Sequence, residues 1–352
     1  MADSAAPLTP DLSQESERDL MVRAAWLYYV CANNQESTAR LLGLTRARVN
    51  RLLAGARDSG LVSISIEHSL TAMLEIERTL STVYGLDFCL ATPPLGRMNR
   101  LADTAEGRRA QAALARRAVA VAGARFLASR LGGDKPVTVG VGWGRTLEQL
   151  TMHLSGVADP RARFVALMGS LTRNSASNPF EVVHTLAART GGQGFFLPVP
   201  FIADSEADRE VLAAQRTVRE VMDVAAEADF LLVSLGELTR SSFLHDQGLI
   251  SADDLADLRT AGAVGDSIGL FFDAAGRIVD HPVARRTLAV DLAVLRDRPL
   301  VLLAAGVEKE AATLALLEGG IVDALIVDGD LATRLTTRLH DSARDARRRR
   351  AG

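Results

Sequence analysis

Apolar residues recur at two different periods along this chain, and the change of period divides it. From Arg18 to Ala32, Leu20, Ala24, Leu27 and Val30 or Cys31 keep a helical spacing, with Trp26, Tyr28 and Tyr29 expected to pack beside them. A second helical pattern covers QESTARLLGLTRARVNRLLAGAR, Gln35 to Arg57. In it Ala39 is small where two helices must cross closely, and Gly43 falls where the chain turns with positive φ. Leu44 plugs the corner, and Thr45 is placed to N-cap the next helix. Val49, Leu52, Leu53 and Ala56 then form one apolar stripe, completing the pattern of a helix-turn-helix. Past Gly60, Val62, Ile64 and Ile66 alternate with Ser63 and Ser65, which predicts a short strand and so a winged helix-turn-helix.

A boundary follows at His68 to Thr71, and the pattern changes. First come a helix with Leu74, Ile76 and Leu80 apolar, ended by Gly85, and a strand from Asp87 to Ala91. Thr104 to Leu131 is a long Ala- and Arg-rich helix with Ala112, Leu114, Ala118, Val121 and Leu127 apolar, serving either the core or a subunit contact. From Pro136 onward short apolar runs dominate: PVTVGV, Phe164–Leu167, Phe195–Leu197, Phe230–Leu235, Gly269–Phe272, Leu300–Ala305 and Ala324–Val327. Helix-length segments separate several of them, notably Asn178–Arg189, Ser205–Ala228 and Glu308–Leu317. Such runs predict buried parallel strands joined by crossover helices, a Rossmann-like doubly wound α/β domain. Ligands in that class sit beyond the carboxyl ends of the strands. The loops there are expected to carry Gly142 to Thr146, Met168-Gly169-Ser170, Gly236, Gly265-Asp266, Gly306 and Lys309.

The expected organisation is a flexible N-terminus at 1–17, a helix-turn-helix domain at 18–67, an effector-binding α/β domain at 72–340 and a basic tail, DSARDARRRRAG, at 341–352. Composition narrows the partners. The 352 residues are 48% hydrophobic with a net charge of −3, which supports a sizeable core and confines any DNA contact to a local surface. No uninterrupted apolar run is long enough to span a bilayer, and the N-terminus lacks the order of a signal peptide, so a cytoplasmic protein is expected. Cys31 and Cys89 are expected as small core residues, and the six histidines show no metal-ligand spacing. Glu237, Asp246 and Asp266 are candidate acid–base groups, but no linear pattern pairs them with an attacking group, so no catalytic residue, metal or cofactor is assigned.

Two stretches carry candidate chemistry. Opposite the apolar stripe of the second helix lie Arg46, Ala47, Asn50 and Arg51, with Thr45 at its start and Arg48 on the flank. Arg suits guanine edges and phosphates, Asn suits adenine, and a small Ala admits close approach to the groove. The bland alternative is the charged solvent face of an amphipathic hairpin. The second stretch, GVGWGRT, places Gly142, Trp143, Gly144, Arg145 and Thr146 between a strand and a helix, leaving backbone N–H groups free for an anion or hydroxyls. Its G-x-G-x-G spacing is neither a dinucleotide fingerprint nor a Walker A, and a tight structural turn explains it equally. Lys309 reads either as a counter-charge for an effector phosphate or as a surface lysine near a helix start.

In order along the chain, the helix-turn-helix, GVGWGRTLEQL, NPFEVVHTLAARTGG leading to LPVP, GAVGDSIGLFFDAAG and AAGVEKEAATLALLEGGIVDALIVD resemble the SorC family of bacterial sugar-responsive transcriptional regulators, from about Arg18 to Thr337. The resemblance implies a DNA-binding domain followed by an effector domain related to sugar-phosphate isomerases, assembled as a dimer or tetramer. It implies that Gly142, Trp143, Gly144, Arg145 and Thr146 border the effector, with Gly169, Ser170, Asp266 and Lys309 on neighbouring loops. Ser170 and Ala305 stand where much of the family has glycine. RAAWLYYV and LGLTRARVNRLL are also similar to members controlling erythritol and related polyol catabolism. The expected function is operator binding switched by a sugar, polyol or sugar-phosphate effector. An isomerase-like enzyme with an appended helical domain, or a helical protein-interaction module on a small-molecule sensor, are the competing readings.

Overall fold

A computed structural model describes residues 16–31, 33–62, 71–96, 104–171, 178–239 and 242–351. The chain forms two compact units, Met1–Glu67 and His68–Gly352.

The small unit is helical: α1 (Glu17–Ala25), α2 (Gln35–Leu42) and α3 (Arg46–Asp58), with a π-turn at Trp26–Val30 after α1. Its core is the expected stripe, since Val49, Leu52, Leu53 and Ala56 are all buried and pack with Leu20, Ala24, Ala39 and Leu42. Each buried Leu or Val stabilises the unit by roughly 1.5–3 kcal/mol. Two expectations fail on the first helix. Trp26 is 61% exposed and Cys31 is exposed, because the wider π-turn advances the chain by less per residue than an α-helix and slips these side chains off the buried face, whereas Tyr28 and Tyr29 do pack on the core. The strand expected through Ile64 and Ile66 lies outside the described residues.

The large unit alternates strands and helices. In chain order these are α4 (Thr71–Tyr84), β1 (Phe88–Ala91), α5 (Ala105–Arg130), β2 (Thr138–Val141), α6 (Arg145–His153), β3 (Arg163–Ser170), α7 (Pro179–Thr190), β4 (Gln193–Pro200), α8 (Glu206–Ala213) and α9 (Arg216–Ala226). There follow β5 (Phe230–Ser234), β6 (Gly236–Glu237), α10 (Phe243–Asp246), α11 (Ala252–Thr260), β7 (Ala263–Ser267), β8 (Leu270–Asp273), α12 (Pro282–Arg285) and α13 (Leu292–Asp297). The chain ends with β9 (Leu300–Ala304), α14 (Glu310–Glu318), β10 (Ala324–Val327) and α15 (Gly329–Ala351).

Seven parallel strands form one sheet in the order β1-β10-β9-β5-β2-β3-β4. Successive residues of a strand point to opposite faces, and both faces are covered. Phe164, Ala166, Leu232 and Leu303 pack with α5, α6 and α7 on one side, while Val165, Leu167, Val233 and Leu302 pack with α4, α14 and α15 on the other. Pro198 is tolerated because β4 is an edge strand.

Three departures from the apolar pattern stand out. Gly269–Phe272 is no parallel strand of the main sheet: β8 belongs to a separate antiparallel sheet, β6-β7-β8. Gly265 and Asp266 lie within β7 and not in a loop. The segment 205–228 is two helices, because Gln215 adopts extended ψ (138°) and starts α9 afresh. On α5 the buried positions are Ala115, Val119, Ala120, Ala124 and Leu127, and Leu114 faces outward at 38% exposure. Among the described residues no helix is long and apolar enough to cross a membrane.

Candidate functional site

The first site is a helix face. Gly43 takes φ 63° to end α2, and the Leu44 N–H donates to Ala39 O at 2.9 Å, which turns the chain sharply. Thr45 then caps α3, its Oγ1 accepting from the Arg48 N–H at 3.2 Å. With the stripe of α3 buried, Arg46, Ala47, Asn50 and Arg51 are left exposed together. Arg48 is half-buried and its guanidinium donates to Glu17 of α1, which ties it to the domain. A residue that spacing alone did not single out joins this face: Gln35, the first residue of α2, hydrogen-bonds to both Arg46 and Asn50.

The second site is set by topology. From β2 the chain moves outward to β3 and β4, whereas β5 falls on the other side of β2, so the order in which strands are added reverses between β2 and β5, the strands themselves staying parallel. In such sheets the crevice beyond the carboxyl ends at the reversal is where ligands bind. Here it is lined by Trp143, Gly144, Arg145 and Thr146 after β2, Ser234 to Glu237 after β5, and Lys309 after β9. This chamber, about 40 Å³, shares the lining residues Arg116, Arg145 and Glu237 with a neighbouring cavity of about 740 Å³. α5 forms the outer wall through Arg108, Arg109, Ala112 and Arg116.

The floor concentrates buried charge. Asp266 (5% exposed), Glu237 (7%) and Lys309 (6%) all line the chamber. Lys309 is therefore no surface lysine; its ammonium donates to Leu235 O at 2.5 Å. Asp266 and Gly236 face each other across β6 and β7, so closely that a Cβ at residue 236 would lie 2.2 Å from Asp266 Oδ1. That oxygen is buried and has no hydrogen-bond partner. Burial, reinforced by the Glu237 carboxylate and opposed by Lys309, pushes the Asp266 carboxyl up to about 7. Burial lowers Lys309 from the usual lysine range, and Glu237 and Glu308 oppose that shift. At the mouth, half-buried Arg116 is lowered by burial and by the neighbouring Arg145, and its Nε has no partner. Arg145 sits 5.5 Å above the Phe243 ring, which also packs edge-on against Trp143. The chamber thus brings two buried carboxyl groups and a buried lysine amine into one space, a mixed donor and acceptor set suited to hydroxyl groups.

Of the residues expected from sequence, Trp143, Gly144, Arg145, Thr146, Asp266 and Lys309 come together around this chamber. Gly142, Gly169 and Ser170 lie outside both cavities. Gly142 packs behind the loop against Val233, 3.5 Å from its Cα to a Cβ placed there. Gly169 serves a close backbone approach, since a Cβ would fall 2.5 Å from Pro200 O, and Ser170 accepts from the Phe201 N–H at 3.0 Å on the β4 side. Arg116, Ser234, Phe243 and Ser267 line the chamber without having been anticipated. A lone Arg in an Ala- and Arg-rich helix carries no mark of the face it takes.

A helical unit with an exposed Arg/Asn face, joined to a doubly wound domain with a ligand cavity at its reversal point, is the architecture of a ligand-responsive DNA-binding regulator. Residues 68–337 match the family model for a sugar-binding domain, Sugar-bind. The chain is 34% identical over 321 residues to the erythritol catabolism regulatory protein EryD of Brucella abortus, covering 91% of this chain and 97% of that protein. It is 28% identical to the transcriptional regulator LsrR of Enterobacter, over 89% of this chain and 91% of that one. The full-length sorbitol operon regulator SorC of Klebsiella pneumoniae has a similar fold, with TM-score 0.68 and 24% identity over 92% of this chain and 99% of that structure. This chain belongs to the SorC family of sugar-binding transcriptional regulators. The isomerase-like enzyme reading is accordingly not favoured, because its relatives are named as regulators.

Proposed function

We propose that this protein controls a carbohydrate or polyol catabolic operon, binding operator DNA through α3 and changing its grip when a sugar, polyol or sugar phosphate fills the cavity at the β2/β5 reversal. The observation that carries the reading is the enclosed floor of Asp266, Glu237 and Lys309, which suits a ligand rich in hydroxyls. Identity of 34% to a regulator named for erythritol catabolism makes small polyols the first ligands to try. In this reading residues 18–67 read DNA, with Thr45, Arg46, Ala47, Asn50 and Arg51 toward the groove. Residues 72–340 hold the effector, with Trp143, Gly144, Arg145, Thr146, Asp266 and Lys309 around it. Arg116 and Arg145 at the mouth are the cations placed to meet an anionic substituent.

A dimer or tetramer supplies two copies of α3, which a symmetric operator requires, and the protein works in the cytoplasm, where that DNA lies. The effector acts only through different affinities for the two arrangements of the reading helices. The test is a thermal-shift screen over polyols, sugars and their phosphates, followed by operator-binding titrations with each responder. A ligand at 100 times its Kd adds about 2.7 kcal/mol of stability. A ligand class that raises the melting temperature and also changes DNA affinity is the expected result. No response across the whole panel, or a response that leaves DNA binding unchanged, would remove the proposal.

A further inference from the structure

Gln35 stands at the first position of α2, half-buried between the two helices, and its amide touches two residues of the α3 face. Arg46 Nε donates to Gln35 Oε1 at 3.4 Å, and Gln35 Nε2 donates to Asn50 Oδ1 at 3.3 Å. The direction of this relay is not arbitrary. A guanidinium can only donate, so the Gln35 atom facing Arg46 must be the oxygen. The atom facing Asn50 is then the Gln35 NH2, and the Asn50 atom that meets it must be its oxygen. The ambiguity that normally surrounds amide orientation is thereby removed by the one partner that cannot reverse.

We infer that Gln35 is a specificity-determining residue: it sets the polarity of the Asn50 amide, so that Asn50 presents its NH2 to the base edge. This rests on the reading that α3 enters the major groove. Since Arg46 uses Nε on Gln35, its two terminal nitrogens stay free for a bidentate contact to guanine O6 and N7. Asn50, with NH2 outward, favours an acceptor edge such as purine N7 or guanine O6. Glutamate at position 35 would accept from both neighbours. Asn50 would then turn its NH2 inward and its oxygen outward, toward the exocyclic amine of adenine or cytosine.

The experiment is in vitro selection of the full chain on a library of duplexes with randomised cores, comparing wild type with Gln35→Glu, Gln35→Met and Asn50→Ala. Thermal melts confirm that each variant is folded; Asn34 remains the cap of α2 and its first turn accepts an acidic residue. Gln35→Glu is expected to shift preference at one base pair per half-site, by about fivefold or more, toward an amine-bearing edge. Gln35→Met, which has no donor or acceptor amide, is expected to broaden preference at that same base pair. If Asn50→Ala alters that base pair but both Gln35 variants select the wild-type base, the inference about Gln35 is overturned while the reading of α3 stands. If Asn50→Ala selects an unchanged motif, the reading of α3 falls and the inference with it. Should the added charge of Gln35→Glu abolish binding, an unchanged base preference in Gln35→Met decides against the relay.

Discussion

The outer face of α3 and the floor of the large cavity are both polar, yet they are built on opposite terms. Arg46, Asn50 and Arg51 are exposed groups on a helix whose stability comes from the buried face behind them. Asp266, Glu237 and Lys309 are ionisable groups buried in the domain, where burial raises Asp266 and lowers Lys309 and the neighbouring Glu237 acts on both. A solvated face can be rewritten without touching the fold. An enclosed one cannot, because desolvation there is part of the domain's stability. The two regions separate two measurable quantities: changes to the exposed face of α3 should move DNA affinity alone, and changes to the floor should move stability first.

The largest effect tests the affinity side. If α3 reads the operator as proposed, Arg46→Ala combined with Asn50→Ala removes two base contacts worth about 1–3 kcal/mol each and lowers specific operator affinity by roughly 30-fold to 10⁴-fold. Stability should stay within about 0.5 kcal/mol, as for other exposed substitutions. A double variant that melts early, or still discriminates its operator, breaks the contrast.

Next comes the floor. Folded Asp266 holds its proton up to about 7, whereas the unfolded chain releases it in the ordinary carboxylate range. The folded state therefore binds the extra proton between these limits, and stability from this group is full near the lower limit and lost as pH rises to about 7. Asp266→Asn removes the titration. It should stabilise the protein above neutrality, on the order of a few kcal/mol, with the difference from wild type vanishing toward about pH 4. Urea unfolding across that range is the measurement, and parallel pH profiles for the two proteins would refute it.

Smaller is the loss of a cap. Thr45→Ala should cost about 1 kcal/mol in the small unit, seen as faster hydrogen exchange along α3 with no change in the large unit. Smallest is Arg51→Gln, which on the proposed reading removes one phosphate contact. The slope of log affinity against log salt should fall by about 0.9, with base preference unaltered.

The two regions also differ in how much of them could be read from the chain. The helix-turn-helix was legible because every signal it needs lies within one short stretch: the buried stripe from Val49 to Ala56, the left-handed Gly43 and the Thr45 cap. Most strands of the main sheet were legible as apolar runs, since strands buried on both faces have no polar positions to show. β7 was not: AVGDS is short, contains Gly265, and pairs with a strand of only two residues, Gly236–Glu237. Gly169 misled for a physical reason, because a glycine that lets Pro200 approach looks like one that lets a ligand approach. Arg116 was invisible, for the Ala-rich α5 leaves the choice of face to the sheet beneath it. Gln35 was hidden by distance in sequence, its partners being residues 46 and 50 on the next helix.

At the edge of the large sheet β1 pairs only with β10, Phe88 in register with Ala324. A ribosome must therefore deliver nearly all of that domain before its first strand finds a place. The small unit needs no such wait, since α1, α2 and α3 bury their core against one another and all lie near the N-terminus. During each round of synthesis the small helical unit is therefore finished first, and the sheet of the large unit is closed last.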